Sequence, residues 1–118
     1  MPAVPPLLLV TRPDREAQAW VLALGALGLP AQALPLIAIG PAPDPAALAR
    51  RRAGVADDAA VMFVSANAAR GFFSSPPGIA WPTGTRAWAT GPGTAAALLE
   101  AGVPAAQLDV PPESEGHF

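Results

Sequence analysis

The sequence has 118 residues, a net charge of −2 and 52% hydrophobic residues, the size and composition of one small globular domain with a core. It contains no cysteine, which excludes a disulfide framework and a thiolate metal site, and its single histidine, His117, lies near the chain end, where it is a poor metal ligand. The one basic run, Arg50–Arg52, is interpreted as a solvated helix face, so we expect no nucleic-acid partner. The opening MPAVPPLLLV is uncharged and interrupted by prolines, so we expect neither a signal peptide nor a membrane span, and a cytoplasmic protein.

The first predicted elements are a strand and a helix. Leu7–Val10 is a continuous apolar run that predicts a strand. Asp14 is placed to cap a helix from about Arg15 to Leu27, because its carboxylate can accept a first-turn N–H. Gly28 follows as the expected left-handed stop.

A second strand and a linker come next. Ala33–Ile39 predicts a strand, which Pro35 places at a sheet edge or at the strand's start. Gly40–Pro45 is proline-rich and predicts a stiff linker. Asp44 and Pro45 form a favourable cap and first residue for a helix that continues through Arg52.

The segment Ala60–Phe73 predicts a strand, a sharp turn and a helix. Val61–Val64 is an uninterrupted apolar run of the kind found in strands that are covered on both faces. Ser65 is placed as the N-cap of a helix over Ala66–Phe73. The turn Asp57-Asp58 precedes this unit.

A similar strand and helix follow a Pro/Gly-rich loop over Ser74–Thr85. Arg86–Ala89 predicts a strand with Trp88 in the core, and Thr90–Thr94 predicts a turn into a helix over Ala95–Ala101. Gln107–Val110 predicts a weak final strand, and residues 111–118 a loop. This alternation of strands and helices is typical of an α/β fold with a mainly parallel sheet.

Two strand-to-helix turns are the best functional signal, Ser65-Ala66-Asn67 and Thr90–Thr94. Both would present helix N-termini at the carboxyl edge of the sheet, where amides suit anions. For either turn alone, plain capping is the favoured interpretation. Together with Arg12 after the first strand, the two turns predict an anion-binding edge. No constellation of catalytic side chains emerges, and the adjacent Asp57 and Asp58 favour a turn over a metal site.

A dinucleotide site is the alternative. Gly91-Pro92-Gly93-Thr94-Ala95-Ala96 fits G-x-G-x-x-A, and Asp109 lies near the expected distance downstream. This fingerprint belongs in the first βαβ unit of its domain, however, and Pro92 removes one N–H.

The order of these segments resembles the uroporphyrinogen-III synthase family. The resemblance is carried by Leu8–Pro13, Ala33–Ile37, Val61–Ala68, Ala87–Leu98 and Pro111–Ser114. It extends from Leu7 to Phe118, through the order and spacing of motifs that are individually weak. Val64 departs from the family pattern, which commonly has Thr there.

The resemblance implies a three-layer, flavodoxin-like parallel α/β (HemD-like) architecture on a two-domain plan. On that plan residues 1–40 are the opening β-α-β piece of the first domain, 41–45 a linker and 46–118 the first part of the second domain. Family members are about twice as long, so we expect a truncated chain that carries the first half and is inactive alone.

The resemblance also implies a lyase (hydro-lyase) of tetrapyrrole (heme) biosynthesis that cyclises hydroxymethylbilane to uroporphyrinogen III with inversion of ring D. It implies no cofactor, no metal and, for the full-length form, a monomer whose partner is this small-molecule substrate. The predicted substrate contacts are Arg12, Ser65, Asn67, Gly91 and Thr94. No catalytic residue can be named, and a Tyr that is the family's best candidate proton donor would lie outside these residues.

Overall fold

The chain divides into two compact units, residues 1–40 and 41–118, each with its own sheet. The computed structural model describes residues 6–74 and 78–112. Both sheets are parallel, with helices between successive strands, so the predicted α/β class is confirmed. Within the described ranges, no helix is long and apolar enough to cross a membrane. The assignment of residues 1–40, 41–45 and 46–118 to a two-domain plan with a linker stays a prediction.

The first unit is a βαβ piece: β1 (Leu8–Val10), α1 (Asp14–Ala26) and β2 (Ala31–Ala33). Pro13 occupies the N-cap position without a side-chain hydrogen bond, so the prediction that Asp14 caps this helix is wrong, and Asp14 is its first residue. An acidic residue there still complements the positive end of the helix dipole. Gly28 adopts a φ of 78°, the left-handed conformation expected after the helix. Among residues 6–40, Ala17 alone is buried.

The second strand is shorter and earlier than predicted. β1 and β2 pair in the register Leu8 with Ala31 and Val10 with Ala33. The ladder is extended once, where the Leu34 N–H donates to the Val10 carbonyl at 2.8 Å. β1 ends at Val10, so β2 has no strand to pair with beyond Leu34, and the predicted strand over residues 33–39 is wrong.

The second unit contains α2 (Pro45–Ala53), β3 (Ala60–Phe63), α3 (Ala66–Ser74), β4 (Arg86–Ala89), α4 (Pro92–Glu100) and β5 (Leu108–Asp109). Short 3-10 helices cover Val55–Asp57 and Ala105–Gln107. The strand order is β3-β4-β5, all parallel. α2 begins as predicted, because the Asp44 carboxylate accepts the Ala47 N–H at 3.0 Å and Pro45 opens the helix.

The core of this unit lies on one face of the sheet, under α3 and α4. Every second strand residue points into it, including Phe63, Ala87 and Ala89. The Phe63 ring contacts three further rings, those of Phe72, Phe73 and Trp81. Leu98 of α4 is fully buried in the same cluster.

A buried hydroxyl joins the start of β4 to the segment before β3. The Thr85 O–H is the donor to two carbonyl oxygens, that of Val55 at 3.0 Å and that of Asp58 at 2.8 Å. The Trp81 indole N–H donates to the Thr85 carbonyl at 2.8 Å. These bonds satisfy polar groups that a loop would otherwise bury unpaired.

The opposite face of the sheet is uncovered by the described residues. Met62, Trp88 and Asp109 form one cross-strand row on it. Met62 is 47% and Trp88 46% exposed, so the predictions of a two-sided strand and a core Trp88 are wrong for this part of the chain. The reason is that α3 and α4 pack beside one another on the same face, as expected when strands are added in one direction with crossovers of one hand.

The arginine run is not a uniformly solvated face. Arg51 is exposed and pairs with Asp58 at 3.1 Å, but Arg52 is only 3% exposed. The Arg52 guanidinium lies 5.9 Å from the centre of the Phe72 ring, a cation–π distance. Arg52 thus faces inward from α2, which corrects the prediction for the third arginine.

Candidate functional site

The two predicted turns lie at the same edge of the second unit's sheet. β3 and β4 are parallel and paired in the register Phe63 with Ala89. Ser65 and Gly91 each follow two residues after that pair, at the start of α3 and α4. Neighbouring strands are about 4.8 Å apart, so the two helices begin side by side at the carboxyl edge. This is the edge at which open α/β sheets bind ligands.

The start of α3 is capped by Ser65. Its hydroxyl oxygen accepts the Ala68 N–H at 2.9 Å, and its carbonyl accepts the Ala69 N–H at 3.2 Å. The predicted cap is therefore confirmed. The cap uses an acceptor position of the hydroxyl and leaves its O–H able to donate to a ligand oxygen. Ser65 is half-buried, so this donor borders solvent.

The start of α4 has a different construction. The helix begins at Pro92, three residues earlier than predicted, with Gly91 as a cap that contributes no side-chain hydrogen bond. The Gly91 carbonyl accepts the Ala95 N–H at 3.0 Å. Pro92 has no N–H, so the first donors of the helix are the backbone amides of Gly93 and Thr94. First-turn amides have no acceptor within their own helix, which makes these two groups suited to a bound anion.

The other predicted contacts differ in how they could act. Thr94 is 6% exposed as a residue, so its hydroxyl offers little surface to a ligand, and its other donor is the first-turn backbone N–H. Gly91 is buried at the cap, and Asn67 is half-buried in the first turn of α3. The structure thus brings Ser65, Asn67, Gly91 and Thr94 together. Arg12 is exposed in the first unit, and its contribution to this site stays a prediction.

The donors at this edge are N–H and O–H groups that bind anions without proton transfer. Two helix N-termini side by side add their positive ends, which favours carboxylate or phosphate groups. In residues 6–74 and 78–112, no group of three or more His, Asp or Glu side chains is arranged to hold a metal ion. The arrangement can therefore hold and orient acidic groups.

A shallow groove of about 460 Å³ lies on the uncovered sheet face. Its lining is mainly apolar and comprises Met62, Trp88, Ala89, Asp109, Val110 and Pro111. Among the described residues of this lining, Asp109 is the one that carries a charge, and a carboxylate does not favour an acidic ligand. The groove is therefore not suited to the anion that the amide-lined edge would accept.

Asp109 is engaged by Arg86 across β4 and β5. The Arg86 guanidinium donates to both carboxylate oxygens, at 3.0 and 2.7 Å. These hydrogen bonds hold the pKa of Asp109 below its ordinary value and raise that of Arg86. Asp109 is the carboxylate on which the dinucleotide alternative depends, so no observation on the described residues favours that alternative over an anion site.

Sequence reasoning did not single out the amide of Gly93 as an anion donor. The signal was the Gly91-Pro92 pair, because proline is favoured as the first helical residue and removes the first donor. The predicted helix start at Ala95 left Gly93 and Thr94 outside the helix, so it did not identify their amides as first-turn donors.

Comparison with known families gives one finding. A family model described as uroporphyrinogen-III synthase HemD matches residues 18–116, which includes most of the first unit's helix and all of the candidate edge. No curated protein matches the chain.

Proposed function

The chain belongs to the uroporphyrinogen-III synthase family, and from that membership we propose that it binds hydroxymethylbilane in tetrapyrrole biosynthesis and directs its cyclisation to uroporphyrinogen III. The substrate is a linear tetrapyrrole with many carboxylates. A protein that binds it needs several anion sites at fixed positions rather than one strong charge.

The observation that carries the proposal is the pair of helix N-termini at the carboxyl edge of β3 and β4. The N-cap residue of α4, Gly91, contributes no side-chain hydrogen bond, and the first N–H donors of that helix are the amides of Gly93 and Thr94. The α3 terminus adds the Ser65 hydroxyl beside it. Two substrate carboxylates can thus be held about 8–10 Å apart, the separation of packed helices, which fixes both the position and the orientation of the pyrroles that bear them.

The proposed reaction depends on positioning. Loss of the terminal hydroxyl as water leaves an electrophilic azafulvene, and attack on it through a spiro intermediate inverts ring D before the ring closes, which is a hydro-lyase reaction. Because the intermediate also closes spontaneously without inversion, the protein's task is to favour one geometry, a proximity and orientation effect. Neutral amide and hydroxyl donors suit this task, since they hold carboxylates without quenching the electrophile.

Binding is tested first, because it does not require turnover. The chain is titrated anaerobically with uroporphyrinogen III by calorimetry at low and high NaCl. We expect saturable binding that weakens with salt, since the contacts are to carboxylates. Absence of saturable binding at low salt would overturn the proposal.

Catalysis is tested by supplying hydroxymethylbilane from a coupled deaminase reaction and separating isomers I and III by chromatography. Isomer III above the spontaneous background supports cyclisation with inversion by these residues. Isomer I alone, with binding retained, restricts the proposal to substrate binding and would agree with the inactivity that the sequence resemblance implies.

A further inference from the structure

We draw no further inference here: the strongest candidate, the apolar groove on the uncovered face of the β3-β4-β5 sheet lined by Met62, Trp88 and Pro111, carries nothing because nothing in the structure shows what covers it.

Discussion

Replacing Ser65 by Asp separates the structural role of this residue from its proposed role in binding. Aspartate is as good an N-cap as serine, so its carboxylate can replace the hydroxyl that accepts the Ala68 N–H at 2.9 Å. A negative charge at a helix N-terminus is also favourable, by about 0.3–1 kcal/mol. We therefore expect Ser65→Asp to be at least as stable as the native chain, whereas Ser65→Ala loses the cap and about 1 kcal/mol.

Ser65→Asp should weaken the binding of uroporphyrinogen III, although it preserves the stability of the fold. The new carboxylate would lie beside the first-turn amides of α4, where the proposal places a substrate carboxylate. For two negative charges about 8 Å apart, the separation of packed helices, Coulomb repulsion is about 0.5 kcal/mol at the dielectric constant of water and about 2 kcal/mol at an effective value of 20. A loss of about 1–2 kcal/mol is therefore expected, which weakens the Kd about 5- to 30-fold.

The assay is the anaerobic titration with uroporphyrinogen III, together with urea denaturation of each variant. Ala105→Asp is the matched control: Ala105 is exposed and precedes β5, so the same charge is added at the opposite, amino edge of the sheet. We expect the Ser65→Asp defect to shrink in 1 M NaCl, where charges are screened beyond about 3 Å. Equal weakening by both variants, or tight binding by Ser65→Asp, would refute the placement of carboxylates at this edge.

Three further predictions concern stability, each read from the urea midpoint. Thr85→Val removes a fully buried donor to two carbonyls and should cost about 1–3 kcal/mol, whereas Thr85→Ser keeps the hydroxyl and should cost less; equal losses would contradict a role for the bond. Leu98→Ala should cost about 2–5 kcal/mol because Leu98 is fully buried. Leu99→Ala should cost about 0.5 kcal/mol or less because Leu99 is half-exposed, and similar losses for the two variants would contradict the position of the core. Because Arg86 lowers the pKa of Asp109, their pairing stabilises the fold above the ordinary carboxyl pKa, and this stabilisation is lost as the pH falls through the lowered value. The difference in unfolding free energy between the native chain and Asp109→Asn should therefore shrink below about pH 4, and a pH-independent difference would contradict the pairing.

Local chemistry made several features of the fold predictable from the sequence. Ser65 and Asp44 were identified as caps because their side chains can accept an N–H three residues later, and both do so. Gly28 was identified as a helix stop because glycine tolerates a positive φ, and it has one. The turns after β3 and β4 were expected at the same edge of the sheet because the carboxyl ends of parallel strands share one edge, and they lie there.

Three of the mispredicted features depend on partners distant in sequence. The extent of β2 is set by β1, so the apolar residues after Leu34 lie outside the ladder despite their strand-like composition. Exposure of Met62 and Trp88 depends on which face α3 and α4 occupy, which an apolar run cannot specify. The inward position of Arg52 depends on the Phe72 ring, and a run of three arginines gives no hint of it.

The near absence of buried side chains in residues 6–40 has a consequence for local opening. A two-stranded ladder supported by one helix, with Ala17 as its only buried residue among those described, has little apolar contact to resist fluctuation. The amide proton of Leu34, which closes that ladder, should therefore exchange with deuterium far sooner than the amides of Ala87 and Ala89 in β4. The edge proposed to bind substrate thus belongs to the unit that we expect to exchange more slowly.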